Sequence, residues 1–183
     1  MCCAYSSNSR GEPSLRISIR PFEPAEWKLF RDFRLNALQA APGSFWGTYE
    51  DAMAKADEVW QDYMRRDATQ QVFGLFDEDR LIGITAAFRH RGDPSGETAI
   101  LAMSYIEPEY RGRGLSRLLY RARLDWIRAQ PQLRRVVVSH RESNEISRAA
   151  NQHFGYKYTG REPHTWPDGL TEDELFYELL IGR

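Results

Sequence analysis

A strand, a loop, a helix and a second strand in the middle of the chain limit the fold more than any other feature. Apolar residues at 99–106 predict a strand, which Pro108 ends. A loop rich in glycine and arginine follows, and residues 115–129 then carry apolar side chains at helical spacing. Residues 136–138 predict a short buried strand. A crossover helix of this kind joins parallel strands, so we expect an α/β fold.

The loop between the first strand and the helix favours an anionic ligand. Gly112 and Gly114 allow positive φ angles and a close approach of the backbone to a ligand. The helix N-terminus that follows presents unpaired N–H groups, and Arg111 and Arg113 add positive charge. A pyrophosphate fits this chemistry, although a plain strand-to-helix turn also uses glycine. The loop is not a P-loop, and Arg117 stands where the dinucleotide fingerprint needs its third glycine.

Charge is distributed unevenly along the chain. The 183 residues carry a formal net charge of −1, which argues against a dedicated nucleic-acid-binding protein. Residues 111–148 nevertheless contain 10 arginines against 3 acidic residues, a local charge of +7. This excess favours a small polyanionic ligand, and a solvated helix face is the alternative explanation.

The remaining segments predict a mixed, mainly antiparallel sheet flanked by about four helices. The predicted elements are a strand at 15–19 ended by Pro21, helices at 24–40 and 51–66 with a loop at 41–44, a hairpin of strands 72–76 and 81–88 around the turn 77–80, a helix capped by Ser143 or Asn144 and stopped by Gly155, and strands at 156–160 and 175–181 around a loop at 161–173. We expect one domain over residues 14–183.

The N-terminus and the cysteines carry little information about function. Residues 1–13 are polar and predict a flexible leader. Cys2 and Cys3 are the only cysteines, which provides neither a disulfide framework nor a metal site. No run of residues resembles a signal peptide or a membrane span. We therefore expect a cytoplasmic monomer or homodimer without metal, membrane or nucleic-acid partners.

The segment 104–116 resembles the CoA-binding segment of the GNAT superfamily of N-acetyltransferases. Arg111 and Gly114 match the family signature, and Ser116 takes its last place as a small residue other than glycine. Asn144 and the pair Gly155-Tyr156 resemble the landmarks that bound the next helix of the family. The order of elements agrees over residues 15–181, and the resemblance implies a bulged strand that splays away from its parallel neighbour.

The resemblance also implies an acetyl-CoA site and a reaction. Backbone groups of Ser104, Tyr105 and Ile106 would hold the pantetheine and polarise the thioester, and the Asn144 side chain would bind the pantetheine arm. The pyrophosphate would be held by the backbone amides of Arg111, Gly112, Arg113, Gly114, Leu115 and Ser116. An amine would attack the thioester directly, without an acyl-enzyme.

The acid and base of many relatives are missing from their usual positions. Asn151 stands where those relatives place a tyrosine acid, and Ser139 stands where some place a glutamate base. The candidate acids are therefore Tyr156 and Tyr158, and the candidate bases, acting through water, are Glu50, Glu97 and His140. Catalysis by proximity alone, and acetyl-CoA binding without turnover, remain as alternatives.

The acceptor is expected between the first two helices and the loop joining the last two strands. Aromatic and acidic residues of these segments that suit an amine are Phe45, Trp46, Tyr49, His164, Trp166 and Asp168. They predict a small-molecule amine, such as a toxin or antibiotic detoxified by acetylation. The alternatives are a protein N-terminus or lysine as acceptor, and a non-catalytic acetyl-CoA sensor.

Overall fold

A computed structural model describes residues 16–182, which form one seven-stranded sheet with helices on both faces. The strands are β1 (Ile17–Pro21), β2 (Gln70–Asp77), β3 (Arg80–Arg89), β4 (Thr98–Ile106), β5 (Arg135–Arg141), β6 (Lys157–Thr165) and β7 (Thr171–Leu180). The helices are α1 (Trp27–Ala40), α2 (Tyr49–Met53), α3 (Asp57–Asp62), α4 (Ser116–Arg128) and α5 (Glu145–His153). The predicted leader, with Cys2 and Cys3, lies outside the described residues.

The strand order is β1-β2-β3-β4-β5-β7-β6, and the pair β4–β5 is parallel while the other neighbours are antiparallel. This confirms the predicted mixed sheet. The crossover helix α4 joins the parallel pair, as the pattern of the middle segment requires. The hairpin β2–β3 is also confirmed, with a turn that places Glu78 at a φ of 53°.

Helices α1, α2 and α3 cover one face of the sheet, and α4 and α5 cover the other. The first face has a core of aromatic side chains in which Phe22, Phe30 and Trp60 are at most 2% exposed. On the second face, Leu124 and Ile127 of α4 pack with residues of β4 and β5. The two cores lie back to back across the sheet, so a break in the sheet would connect the two faces.

The single helix predicted over 51–66 is wrong, because the chain forms two short helices there. Ala56 adopts an extended conformation, with φ −65° and ψ 155°, and separates α2 from α3. Ala52, Trp60 and Met64 are all buried in the first core.

The predicted loop 161–173 is also wrong, because β6 and β7 extend through most of it. Cross-strand pairing continues from Lys157 opposite Glu178 to Thr165 opposite Thr171. Strand β6 is the edge of the sheet and most of its side chains are exposed. An exposed edge strand shows no apolar alternation, so its sequence looks like a loop.

Strands β4 and β5 separate from one another after a short stretch of pairing. They pair only at Thr98–Arg135, Ala99–Val136 and Ile100–Val137. Further along β4, its register with β3 shifts between Ile84 and Ala86, and Met103 takes a φ of 57°. A bulge of this kind bends a strand. The result is a gap in the sheet that widens toward Ile106 and Arg141, as the splayed pair was expected to form.

Candidate active site

The loop at the wide end of the gap has the backbone geometry of an anion site. Gly112 and Gly114 have φ angles of 76° and 72°, which residues with a side chain rarely adopt. A Cβ added at Gly112 would meet no atom within 4 Å, so the space above it is open. Helix α4 begins at Ser116, and its N-cap residue Leu115 offers no side-chain cap. Unpaired N–H groups therefore face the gap, as a pyrophosphate requires.

Arg111 folds back from this loop onto β4. Its Nε donates to the carbonyl oxygen of Ile106 at 2.8 Å, and its guanidinium lies 5.1 Å from the centre of the Tyr105 ring. Arg113 is exposed and lies 5.7 Å from the Tyr110 ring. The loop therefore places two arginines beside the end of β4, where the expected anion would carry its charge.

Ser104 joins the gap to the face that α4 and α5 cover. Its side chain is exposed in the gap, although its hydroxyl is 2.9 Å from Thr85 Oγ1 and accepts from Arg123 Nη1 at 2.8 Å. The neighbouring Tyr105 turns to the opposite face, where its ring contacts Phe33 and Phe45. Ser104 and Tyr105 thus face opposite sides of the sheet, as consecutive residues of a strand do.

Asn144, the expected pantetheine ligand, has a structural role in the described residues. Its Oδ1 accepts from the backbone N–H of Ser147 at 3.0 Å and caps α5. Gly155 follows the helix with a φ of 79°, which confirms the predicted stop. The capped start of α5 fixes this helix beside the gap.

Four buried residues form a group that we call the α4–α5 polar cluster: Tyr120, Arg123, Asn151 and Tyr156. Arg123 is 2% exposed, donates to the carbonyl oxygen of Leu119 and stacks 4.5 Å from the Tyr120 ring. The Tyr120 hydroxyl donates to Asn151 Oδ1 at 2.6 Å. Among residues 16–182, Arg123 Nη2, Asn151 Nδ2 and the Tyr156 hydroxyl have no hydrogen-bond partner. Buried polar groups without partners are costly, so these three groups are candidates for a functional role.

Burial shifts the pKa values of the cluster in the direction that favours uncharged groups. It raises the pKa of Tyr156 well above the ordinary value, and it raises the pKa of the Tyr120 hydroxyl as well. Burial also lowers the pKa of Arg123, whose ordinary value is 12.5. The Tyr156 hydroxyl therefore stays protonated at neutral pH.

The other candidate acids and bases lie in less suitable places. Tyr158 is 54% exposed on the edge strand β6. The His140 ring stacks on Tyr177, and its Nδ1 is 2.8 Å from the carbonyl oxygen of Arg141, so Nδ1 carries the hydrogen. Burial lowers the pKa of His140, and the imidazole is neutral at pH 7. Glu50 is exposed on α2, and Glu97 is exposed at the closed end of the β4–β5 pair.

On the face of the sheet that α1, α2 and α3 cover, Trp46 contacts a buried carboxylate. Glu174 of β7 is 2% exposed and accepts from Trp46 Nε1 at 2.9 Å. The Trp46 ring is 62% exposed and stacks on His164 at 4.5 Å between ring centres. Tyr49 is half-buried and packs against the first core. His164 therefore contacts both Trp46 and Trp166, and Trp46 binds a carboxylate that was not among the candidates.

Arg141 ties together the loops that border this face. It is 8% exposed and forms ion pairs with Asp168 and with Glu172, the latter at 2.6 Å. Its Nη1 also donates to the carbonyl oxygen of Gly43 at 3.3 Å. The guanidinium lies 5.7 Å from the ring of Trp166, which is itself buried. The carboxylate of Asp168 is thus engaged by an arginine and is not free to attract an ammonium.

Three functional candidates were missed by the sequence analysis: Arg34, Arg123 and Glu174. Each is charged yet buried, with exposed fractions of 9%, 2% and 2%. Arg34 and Arg123 lie within the apolar faces of α1 and α4, and Glu174 alternates with Leu175 on β7. A charged residue on the apolar side of a helix is the sequence signal that identifies Arg34 and Arg123. Glu174 lies on a strand and has no such signal.

The described residues contain neither a metal cluster nor a membrane-spanning helix. No group of three or more His, Cys, Asp or Glu between residues 16 and 182 is arranged to hold a metal ion. None of the helices in the same range is both long and apolar enough to cross a membrane.

Comparison with protein families identifies one match. The model of the acetyltransferase (GNAT) family matches residues 27–156, which include the glycine and arginine loop and the α4–α5 polar cluster. A search of curated proteins found no match.

Solved structures show the same fold. An acetyltransferase of the GNAT family from Streptococcus pneumoniae superposes with a TM-score of 0.80 at 20% identity, over 91% of this chain and 99% of the other. A Salmonella typhimurium protein solved with its cofactor acetyl-CoA gives a TM-score of 0.75 at 17% identity, over 91% and 95%. A ribosomal L7/L12 α-N-protein acetyltransferase in complex with CoA gives 0.70 at 13% identity, over 90% and 94%.

Proposed function

The chain belongs to the acetyltransferase (GNAT) family and is an acetyl-CoA-dependent acetyltransferase, and we propose that its acceptor is the primary amine of a small molecule. The observation that carries this proposal is the closure of the sheet face that α1, α2 and α3 cover, which we call the acceptor face. Arg141 bridges the loop at Gly43 to Asp168, and Trp46 spans from its loop to Glu174. An extended peptide needs an open groove, whereas these bridges leave a confined approach between aromatic side chains.

The residues at the gap suit acetyl-CoA. We assign the pyrophosphate to the amides of 111–116, where Gly112 and Gly114 provide the backbone conformation. The pantetheine would lie along Ser104, Tyr105 and Ile106 on the unpaired part of β4, and the free Nδ2 of Asn144 is its second contact. When bound, acetyl-CoA supplies the thioester whose acetyl group is transferred.

We assign the proton donor to Tyr156. Its buried hydroxyl has no partner among the described residues and remains protonated at neutral pH. The cluster to which it belongs reaches the gap through Arg123 and Ser104. A hydroxyl on the α4–α5 face suits the protonation of a leaving thiolate. The exposed Tyr158 and the neutral His140 are weaker candidates for acid and base.

We assign the base to Glu174, acting through water in place of the exposed Glu50. Its carboxylate is buried on the acceptor face and is oriented by Trp46 Nε1. The ammonium gives one proton through water to Glu174, the amine nitrogen bonds to the acetyl carbon, and the bond to sulfur breaks with its electron pair on sulfur. The nitrogen loses a second proton to water as the amide forms, which balances the proton that Tyr156 gives to the sulfur. Tyr156 returns a proton on the other side of the gap. Base and acid thus act from opposite faces of the sheet.

The competing acceptor is a protein amine. One structural neighbour is a ribosomal L7/L12 α-N-protein acetyltransferase, so the same fold serves a protein N-terminus in that case. Detoxification of an amine toxin or antibiotic is the biological role that a confined, aromatic acceptor site favours here.

The first test is free-thiol release from acetyl-CoA with a panel of small amines and N-terminal peptides. We expect release that depends on a small amine and exceeds release with any peptide by at least about tenfold, a difference of about 1.4 kcal/mol. Equal turnover of peptides and small amines would contradict the small-molecule acceptor.

A variant of the loop provides the control for the acetyl-CoA site. Gly114→Trp adds a side chain at a positive φ beside the helix N-terminus, and we expect acetyl-CoA binding measured by calorimetry to be lost. Gly182→Trp is the matched control, because a Cβ there meets no atom within 4 Å and the residue follows β7 at the far end of the sheet. Loss of acetyl-CoA binding in both variants would show that the loss in Gly114→Trp is not specific to the loop.

A further inference from the structure

A lone buried cation lies behind the acceptor face. Arg34 of α1 is 9% exposed, and its Nη1 has no hydrogen-bond partner among residues 16–182. No ion pair joins it to a carboxylate in the same range. The guanidinium carbon lies 4.2 Å from the centre of the Phe45 ring, and the group also interacts electrostatically with Tyr63. Arg34 is therefore held by an aromatic face and by no anion.

This arrangement differs from the other buried arginine on the acceptor face. Arg141 is equally buried but has two carboxylate partners, Asp168 and Glu172. Burial of a charge without a partner costs several kcal/mol, and folded proteins almost always pair such a charge. Burial lowers the pKa of Arg34 to about 10, which still leaves the guanidinium charged at neutral pH. The cost is recovered if a ligand supplies the missing anion.

The position of Arg34 connects it to the reacting strand. The Phe45 ring that covers the guanidinium also contacts Tyr105 of β4, with 6.3 Å between ring centres. Tyr105 belongs to the part of β4 that pairs with β3 but not with β5, and this part borders the gap. The next residue in the chain, Trp46, contacts Glu174. Phe45 contacts the Arg34 cation and Trp46 contacts the Glu174 carboxylate, so two adjacent residues of one loop contact two buried charges of opposite sign.

We propose that the acceptor amine also carries a carboxylate group and that Arg34 binds this carboxylate. The inference rests on the proposed function, because it specifies the acceptor of the same site. Arg34 provides a planar fork of donors that matches a carboxylate, and Phe45 holds that fork in place. Glu174, on the other side of the loop, attracts the ammonium. An amine with a negative charge is thus oriented at both ends before transfer.

The test compares acids with their uncharged isosteres. The acceptors are the proteinogenic L-amino acids, β-alanine and 4-aminobutanoate, each paired with its primary amide, and the readout is thiol release from acetyl-CoA. In the wild type we expect at least one acid to exceed its amide by tenfold or more in kcat/KM. If every amide is acetylated as well as its acid, the inference is overturned while the proposed transfer to small amines stands.

Variants assign the preference to Arg34. In Arg34→Gln we expect kcat/KM for the preferred acid to fall about 10- to 100-fold, mainly through KM, since a hydrogen bond to a charged group is lost. The kcat/KM for the amide and the KM for acetyl-CoA should stay unchanged. Arg34→Lys keeps the charge without the fork and should give an intermediate value. Arg31→Gln is the matched control, because Arg31 lies on the same helix and pairs with Asp32 and Asp57 at the surface. An equal loss for acid and amide would overturn the inference.

A second measurement follows binding to the wild type and needs no folded variant. The N-acetyl form of the preferred acid and the N-acetyl form of its amide are added to the wild type in the presence of CoA, and thermal unfolding is followed. We expect only the acid to raise the melting temperature, because only it supplies the anion for Arg34. Absence of any difference over the whole panel would overturn the inference. Absence of thiol release with every amine would instead contradict the proposed function.

Discussion

The two faces of the sheet solve the problem of buried charge in different ways. On the acceptor face, Arg141 is neutralised by Asp168 and Glu172, and Glu174 is held by Trp46. On the opposite face, the α4–α5 polar cluster contains a buried arginine, two tyrosines and an asparagine, without any carboxylate. Within residues 16–182, buried polar atoms without a hydrogen-bond partner occur on both faces, but the buried carboxylate Glu174 lies on the first.

This difference indicates how the two faces divide the reaction. A carboxylate accepts a proton readily, so the acceptor face suits the deprotonation of an ammonium. A buried hydroxyl beside a cation donates a proton and stabilises negative charge, so the α4–α5 face suits a leaving thiolate. In the proposed reaction, the two sets of groups act from opposite sides of the gap between β4 and β5. Each face can therefore be altered separately, and the effects compared.

The largest effect is expected for Glu174→Gln on the acceptor face. The amide keeps the hydrogen bond from Trp46 Nε1 but cannot accept a proton, so kcat/KM should fall by about 1,000-fold at pH 7. Thiol release at saturating acetyl-CoA measures this. Glu162→Gln is the matched control, because Glu162 lies directly opposite on β6 and is exposed. Similar losses in both variants would remove the assignment of the base to Glu174.

A smaller effect is expected for Tyr156→Phe on the α4–α5 face. Loss of the hydroxyl should lower kcat about 100-fold through the missing acid. The free energy of unfolding should stay the same or rise by up to about 1 kcal/mol, because the buried hydroxyl has no partner to lose. Kinetics and urea unfolding measure the two quantities. Tyr158→Phe, at an exposed position, should change neither, and unaltered kcat in Tyr156→Phe would exclude it as the acid.

The smallest effect concerns stability against pH. Hydrogen bonds from Arg141 hold the pKa of Asp168 below 3.8 and that of Glu172 below 4.5. Their stabilisation is therefore complete above about pH 5 and is lost as the pH falls through the lowered pKa values. We expect the difference in unfolding free energy between wild type and Asp168→Asn to shrink between pH 5 and pH 2. The difference in unfolding free energy between wild type and Tyr156→Phe should stay constant between pH 5 and pH 2. A similar decrease for Tyr156→Phe would show that the stability of the two faces depends on pH in the same way.

Much of the fold was predictable because its signals are local. The apolar spacing of α4, the hairpin β2–β3 and the stop at Gly155 depend on neighbouring residues, and each was confirmed. Two predictions failed. The extended conformation of Ala56 divides the predicted helix, and nothing in the structure explains it. The edge strand β6 is polar because solvent covers it.

The site was predictable in part for the same reason. The loop 111–116 carries its own geometry, because glycine and a helix N-terminus are enough to make an anion site. The acceptor side required the fold. Trp46 and His164 were expected to line it, but the partner that Trp46 binds, Glu174, looks in sequence like any polar residue of a strand.

The sequence by itself determined the order of elements, the crossover between parallel strands and the backbone geometry of the loop 111–116, since these depend on periodicity and on the backbone freedom of glycine. Only the tertiary structure decided which charges are buried and which have partners. Arg34, Arg123 and Arg141 are chemically identical in sequence, yet one faces an aromatic ring, one a hydroxyl cluster and one two carboxylates. The environment of a charge depends on residues far away in the chain, because burial and pairing are set by the elements that pack around it.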